Sequence, residues 1–145
     1  MQVRIKKLDE RAKIPTYQTE FSAGADIYTM EGDTVTVSPH ETILVHTGFA
    51  IEIPEGYAGL IFARSGLATK KGLAPANKVG VIDADYRGEC MVALHNHSDL
   101  PVTVEGGDRI AQLMIVPFLK AEFSLSEELS DTVRGEGGFG STGIK

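Results

Sequence analysis

The chain has 145 residues, of which 42% are hydrophobic and 23% charged, and its formal net charge is -6 at pH 7. These values are those of one globular domain with a buried core, and the acidic balance argues against a nucleic-acid partner. No run approaches the roughly 20 apolar residues of a membrane-spanning helix, so we expect no membrane partner. Cys90 is the only cysteine, so no disulfide can form within the chain and we expect a cytoplasmic location.

Apolar and polar residues alternate along much of the chain, which indicates short β-strands. Val35 and Val37 share one face of such a run, and Cys90, Val92 and Leu94 share a face of another. Turn signals rich in glycine, proline and aspartate separate these runs. Many short strands at this spacing predict an all-β fold, as a closed barrel or a double sheet.

Two segments could form helices. Residues 65–72 offer Ser65 as an N-cap, lysines in the last turn and Gly72 as a stop signal. Residues 124–129 are too few to form a stable helix without packing.

The end of the chain has a different composition. Residues 134–143 contain five glycines, and Phe139 is their only large apolar residue. Such a segment cannot join a core, so a frayed tail is the default interpretation. Arginine, serine, threonine and glycine are also the residues that cradle phosphate groups. Composition leaves both interpretations open.

Two polar clusters in the first half of the chain could bind a ligand. Residues 23–26 (AGAD) place small residues beside Asp26, which either caps a buried turn or faces a ligand. Residues 64–66 (RSG) place Arg64 and Ser65 at the start of the first predicted helix, where free N–H groups suit an anion. A plain N-cap accounts for Ser65 but not for its neighbours, so we favour phosphate binding there.

Two further clusters lie in the second half. Residues 80–89 (GVIDADYRGE) contain Asp83 and Asp85 on a strand-like stretch, where both point the same way. Either could be a general base or bind a metal through water, and an aspartate-rich β-turn is the alternative. Residues 107–112 (GDRIAQ) place Arg109 and Gln112 where the following strand would otherwise be apolar, which is a weak signal alone.

Taken together and in order, these clusters resemble the five motifs of the trimeric dUTP pyrophosphatase family. Residues 22–26, 64–66, 80–89, 107–112 and 134–143 are similar to motifs one to five, and the resemblance covers nearly the whole chain. The related dCTP deaminases share the fold but are usually longer and lack the terminal GFGSTG run found here. Ala63 departs from the pattern, since many relatives have proline there, and we expect little effect on function.

The resemblance implies a distorted jelly-roll-like β-barrel with one short helix over residues 1–125, followed by a mobile glycine-rich arm over residues 126–145. It also implies a homotrimer with shared active sites. Each site would take motifs one, two and four from one subunit and motif three from a neighbour. The arm of the remaining subunit would close over that site.

The resemblance further implies a Mg²⁺-dependent hydrolysis of dUTP to dUMP and pyrophosphate, which limits uracil incorporation into DNA and supplies dUMP for dTMP synthesis. Asp83 would orient and deprotonate the water that attacks the α-phosphorus. Mg²⁺ would be held mainly by the substrate phosphates and would contact Asp26 through water. A dCTP deaminase of the same fold and a non-catalytic binding protein stay open as alternatives.

The implied substrate-binding residues fall into three groups. Tyr86 would pack against the sugar and exclude a 2′-hydroxyl, and Phe139 would cover the base. Main-chain groups of the hairpin would read uracil at Asn77, Gly80, Val81, Ile82 and Gly88. The phosphates and their surroundings would be held by Arg64, Ser65, Gly66, Gln112, Arg134, Gly140, Ser141 and Thr142.

Overall fold

The structure is a computed structural model and describes residues 1–138 of the chain. Within that range it has short β-strands and one short helix, which confirms the predicted all-β fold class. In chain order the elements are β1 (Arg4–Lys7), β2 (Ala25–Tyr28), β3 (Thr34–Val37), β4 (Thr42–Val45), β5 (Phe49–Glu52), β6 (Tyr57–Phe62), α1 (Ser65–Lys71), β7 (Leu73–Pro75), β8 (Gly80–Ile82), β9 (Val92–Asn96), β10 (Val102–Glu105) and β11 (Arg109–Pro117).

The largest sheet has four antiparallel strands in the order β2-β11-β6-β8. β11 pairs with β2 on one side and β6 on the other, so Gln112 lies opposite both Asp26 and Phe62. β8 extends the sheet beyond β6 and places Gly80 opposite Ile61. This one sheet therefore carries parts of three of the five predicted motifs, and the second motif begins two residues after β6 ends.

Three smaller antiparallel sheets complete the fold, in the orders β4-β9-β7, β1-β5 and β10-β3. Most of these pairs join strands that are far apart along the chain, as in a jelly-roll-like β fold. Within residues 1–138 the strand pairs form four separate sheets, and closure into a single barrel stays a prediction.

The core lies between the sheets and follows the predicted alternation. In β9, Val92 and Leu94 are buried, whereas Ala93 and His95 are partly exposed. Burying one large apolar side chain stabilises the fold by about 1.5–3 kcal/mol relative to leaving it in water. Cys90 belongs to the same core, and its burial raises the pKa of the thiol to about 11. The cysteine therefore packs as a small apolar residue.

The predicted helix forms as α1, but its N-terminus differs from the prediction. Arg64 is the N-cap residue, with extended backbone angles (φ -83, ψ 126) and no side-chain capping bond, and Ser65 is the first helical residue. The prediction that Ser65 caps the helix is therefore wrong: the extended backbone ends at Arg64, so the helix begins one residue earlier than expected. Gly72 ends the helix in the left-handed conformation with φ 69, as predicted.

The chain after β11 forms neither helix nor strand up to residue 138. Large apolar side chains along it are almost fully exposed, among them Leu119, Phe123 and Leu129. The last strand ends at Pro117, and the domain boundary predicted near residue 125 stays a prediction. Among residues 1–138 no helix has the length and apolar character needed to cross a bilayer.

Candidate active site

One buried carboxylate connects two strands of the four-stranded sheet, β2 and β11, to the start of α1. Asp26 is 1% exposed and accepts hydrogen bonds from Arg64 Nε at 3.0 Å, Gln112 Nε2 at 3.2 Å and Arg109 Nη1 at 3.3 Å. Arg64 Nη1 also donates to the carbonyl oxygen of Arg109 at 3.2 Å. Two guanidinium groups around one carboxylate leave a local excess of positive charge. The cluster therefore suits an anion.

The buried carboxylate of Asp26 is hydrogen-bonded and lies beside the residues that are predicted to bind phosphate. A carboxylate offers about four acceptor positions, and three are in use. Among residues 1–138 no group of three His, Cys, Asp or Glu side chains could cage a metal ion. Asp26 is thus placed to orient Arg64 and Gln112, and its predicted water-mediated contact with Mg²⁺ stays a prediction.

The start of α1 lies beside this cluster. Ser65 and Gly66 are exposed, and a Cβ built on Gly66 would meet nothing within 4 Å. Gly24 is closer packed, since a Cβ there would lie 3.2 Å from the Cβ of Gln112. The small residue at 24 therefore leaves room for Gln112, whereas the glycine at 66 leaves the surface open to a ligand.

A cavity of about 270 Å³ lies around β8. It is lined by Asn77, Gly80, Val81, Ile82, Asp83 and Tyr86, which are all predicted site residues, and by Leu44, Ile61, Glu89, Cys90, Met91 and Ala93. β8 is the edge strand of its sheet. Because an edge strand has unpaired N–H and C=O groups, its main chain is available to a ligand in this cavity.

Asp83 and Asp85 lie in a turn and not on a strand. β8 ends at Ile82, and Tyr86 N donates to the carbonyl oxygen of Asp83 at 3.1 Å. The strand interpretation is therefore wrong, and the aspartate-rich β-turn is the observed structure. Asp83 lines the 270 Å³ cavity and Asp85 does not. Position relative to this cavity distinguishes the two carboxylates, which local sequence could not do.

Tyr86 is held against the last residues of the loop that follows β8. Its hydroxyl group donates to the carbonyl oxygen of Glu89 at 3.1 Å. A Cβ built on Gly88 would overlap the Tyr86 hydroxyl, so only glycine leaves room for the ring in this position. This packing accounts for the glycine at 88, which the sequence had associated with main-chain recognition of the base.

Asp83 and Arg64 lie at opposite ends of the sheet. Ile82 is opposite Gly59, so Asp83 is level with position 58, six positions before Arg64 along β6 and its extension. At about 3.3 Å per residue, their backbones are separated by roughly 20 Å. Within one subunit the Asp26 cluster and the predicted general base are therefore far apart.

The model of the dUTPase family matches residues 10–143. The chain belongs to the dUTPase family. A deoxyuridine 5'-triphosphate nucleotidohydrolase from Hydrogenobaculum sp. (strain Y04AAS1) is 52% identical over 145 residues and covers 100% of both chains. A protein of the same name from Nautilia profundicola is 50% identical over 143 residues and covers 99% of each.

Solved structures of the family agree with the fold. Staphylococcus bacteriophage 80alpha dUTPase with dUPNHPP is similar with a TM-score of 0.90 and 33% identity, over 99% of both chains. A dUTPase variant from phage phi11 of S. aureus, described with a structural Mg(II) ion, has a TM-score of 0.79 and 30% identity and covers 88% of this chain and 98% of its own.

The fifth family motif is only partly described. Arg134 is exposed and its Nε donates to the carbonyl oxygen of Gly137 at 2.7 Å. The predicted ligand residues Phe139, Gly140, Ser141 and Thr142 lie outside the described residues. Their roles stay predictions.

Sequence reasoning missed two residues of the site. Arg109 was noted as polar in an apolar strand but received no role, and its bond to Asp26 is the physical reason for its polarity. Glu89 was read only as the last residue of the third motif, although it lines the cavity. The signal available for both was a charged residue next to a buried strand position, which is too common to assign a function.

Proposed function

We propose that this protein is a dUTP pyrophosphatase that hydrolyses dUTP to dUMP and pyrophosphate in the presence of Mg²⁺. The observation that carries the proposal is the cavity at the free edge of β8, combined with the Asp26 cluster of two arginines and Gln112. Membership of the dUTPase family and a solved relative that holds dUPNHPP support the same substrate.

The edge of β8 supports recognition of uracil. Its free main-chain groups can pair with the carbonyl and N–H groups of the base. Cytosine exchanges an acceptor for a donor at one of these positions, which leaves buried polar groups unpaired and lowers affinity strongly. Tyr86 borders the same cavity and is the candidate for contact with the sugar.

The phosphates have a candidate binding surface at the opposite end of the sheet. Arg64 and Gln112 are already oriented by Asp26, so little ordering is needed when phosphate binds. Ser65 and Gly66 are exposed beside them. Arg134 and the residues of the arm would complete this surface.

The residues of the chain fit a Mg²⁺ ion that is held mainly by the substrate. Mg²⁺ prefers six oxygen ligands and keeps several waters, so it needs no protein cage. Asp26 retains one acceptor position near the phosphate-binding residues, which suits a contact through water. When bound, Mg²⁺ neutralises phosphate charge and stabilises the departing pyrophosphate.

Asp83 is the proposed general base. Its carbonyl oxygen closes the turn with Tyr86, which leaves the exposed carboxylate at the rim of the cavity free to accept a proton. A base must lie within hydrogen-bond reach of the attacking water, directly or through one more water. Asp83 can take a proton from that water as the water oxygen attacks the α-phosphorus.

The separation of Asp83 from Arg64 supports active sites that are shared between subunits. A base that activates water for the α-phosphorus cannot stand roughly 20 Å from the residues that hold the same triphosphate. Pairing Asp83 of one subunit with Arg64 of another removes this conflict. We infer a homotrimer with three such sites, each closed by the arm of the remaining subunit. The cytoplasmic location stays a prediction.

One assay tests the proposed activity. The purified chain is incubated separately with dUTP, dCTP, dTTP and UTP, each with Mg²⁺, and pyrophosphate and ammonia are both measured. We expect pyrophosphate from dUTP, little from the other three nucleotides, and no ammonia. Ammonia from dCTP would identify a deaminase, and no turnover of any nucleotide would favour a binding protein.

A further inference from the structure

The side chain of Glu89 attaches the substrate loop, defined here as residues 83–89, to the turn between β4 and β5. Glu89 Oε1 accepts hydrogen bonds from Thr47 N at 3.0 Å and Gly48 N at 2.7 Å. Glu89 Oε2 lies 2.8 Å from His46 Nδ1. A carboxylate that is ionised can only accept, so His46 must carry a proton on Nδ1. All these contacts join one side chain to three successive residues.

The ionised form of Glu89 fits this arrangement. Partial burial opposes ionisation, but hydrogen bonds from His46 and from the N–H groups of Gly48 and Thr47 outweigh it and hold the pKa of Glu89 below its ordinary value. Hydrogen bonds to a charged acceptor are stronger than neutral ones. The attachment is therefore stronger than a typical surface contact.

The turn that receives Glu89 is itself fixed in place. Gly48 has φ 72, and a Cβ there would lie 2.7 Å from Met30 Sδ and 2.9 Å from the Cβ of Ala12. Thr47 is fully buried and donates through Oγ1 to the carbonyl oxygen of Cys90 at 2.7 Å. The turn therefore provides Glu89 with a rigid partner.

The main chain of Glu89 contacts Tyr86 at the substrate cavity. Its carbonyl oxygen accepts the hydrogen bond from the Tyr86 hydroxyl, and the absence of a side chain at Gly88 lets the ring approach. Both Tyr86 and Glu89 line the cavity. A shift of Glu89 would move the acceptor that fixes the Tyr86 ring.

We propose that Glu89, held by His46 and the turn at residues 46–48, is a positioning residue that fixes Tyr86 and so sets discrimination between deoxyribose and ribose. This inference rests on the proposed function. Glu89 touches no reacting atom, and it acts through the orientation of Tyr86. Without the attachment, the substrate loop gains freedom, the sugar pocket widens, and a 2′-hydroxyl is excluded less effectively.

The variants separate a positioning role from simple stabilisation. Glu89→Ala removes all three contacts, His46→Ala removes one, and Glu89→Gln keeps an amide oxygen that can accept from Thr47 N and Gly48 N. Glu41→Ala is the matched control, because Glu41 Oε2 accepts from Ser38 N at 3.0 Å in a turn outside the cavity. Each variant is measured with dUTP and UTP for kcat and KM, with circular dichroism to confirm folding.

For Glu89→Ala we expect KM for dUTP to rise about tenfold, kcat to change far less, and the preference for dUTP over UTP to fall about tenfold. Glu89→Gln should recover most of the preference, and Glu41→Ala should keep the wild-type values. Unchanged KM and preference in folded Glu89→Ala would overturn the inference while leaving the proposed activity intact. If Glu89→Ala does not fold, His46→Ala is the deciding variant. We expect its preference for dUTP over UTP to fall about threefold, and an unchanged preference would overturn the inference. Failure of the wild-type chain to hydrolyse dUTP would instead contradict the proposed function.

Discussion

Asp26 and Arg64 are joined by a hydrogen bond of 3.0 Å across the four-stranded sheet, although 38 positions separate them in the chain. The Asp26 side chain is 1% exposed and the Arg64 side chain is 25% exposed. A buried carboxylate thus holds a partly exposed guanidinium at the surface where phosphate is expected to bind. Such preorganisation lowers the ordering that substrate must bring about.

Asp26→Asn should weaken both folding and substrate binding. Its amide cannot neutralise Arg64 and Arg109, so we expect the free energy of unfolding to fall by about 2 kcal/mol and KM for dUTP to rise about tenfold. Urea unfolding and steady-state kinetics measure the two effects. Asp33→Asn, which breaks a surface pair with Arg11, is the control and should change stability by less than about 1 kcal/mol. Full recovery of KM at high Mg²⁺ would show that Asp26 acts through the metal instead.

Asp83→Asn should retain dUTP binding and lose most turnover, because an amide cannot accept the proton of the attacking water. We expect kcat to fall at least about a hundredfold with little change in the dissociation constant. Asp85→Asn serves as the matched control, since Asp85 lies in the same turn but does not line the 270 Å³ cavity around β8. Equal loss of turnover in the two variants would contradict the assignment of the base to Asp83.

Mixed trimers should recover activity from two inactive variants. Asp83→Asn and Arg64→Gln chains are each expected to be nearly inactive as pure trimers. If one site combines Asp83 of one subunit with Arg64 of another, some sites in a mixed trimer contain both intact residues. Activity is measured after the chains are unfolded together and refolded, and native mass spectrometry confirms mixing. Confirmed mixed trimers without activity would argue against shared sites.

Removal of the chain from Arg134 onward should leave a folded protein with most of its turnover lost. Ordering about ten glycine-rich residues costs on the order of 1 kcal/mol each, so contacts with substrate must offset that cost. The product dUMP lacks two of the phosphates, so the segment should cover it poorly and dUMP should dissociate quickly. Phe139→Ala should lose less turnover than the truncated chain. In Phe139→Trp, a change in tryptophan fluorescence should report closure of the segment over the substrate. A truncated chain as fast as the full one would mean that the segment is only a tail.

Stability should fall in acid partly through Glu89 and Glu41. Hydrogen bonds hold the pKa of both side chains below the ordinary value of 4.5, with burial opposing the shift at each. Their stabilising contributions are therefore complete above pH 4.5 and are lost as the pH falls through the lower folded-state values. Urea midpoints at pH 6 and pH 3 should differ less in Glu89→Gln and Glu41→Gln than in the wild type. A wild-type pH dependence in both variants would contradict these shifts.

The local features of the fold could be predicted from the sequence because they depend on neighbouring residues. Alternation predicted which side chains of β9 are buried, and Gly72 predicted where α1 ends. Several of the predicted site residues that line the cavity, among them Asn77, Gly80 and Tyr86, also lie close together along the chain. A pattern of period two or a turn residue acts within a few positions, so a single sequence contains it.

Long-range contacts were decided only by the tertiary structure. The bond between Gln112 and Asp26 spans 86 positions, and that between His46 and Glu89 spans 43. Local propensity also misplaced the N-cap of α1, which is Arg64, one residue before the predicted Ser65. The choice between Asp83 and Asp85, and the distance from Asp83 to Arg64, follow from strand register and from where β8 ends. Register is set by pairing between distant segments, and no local pattern in one sequence specifies it.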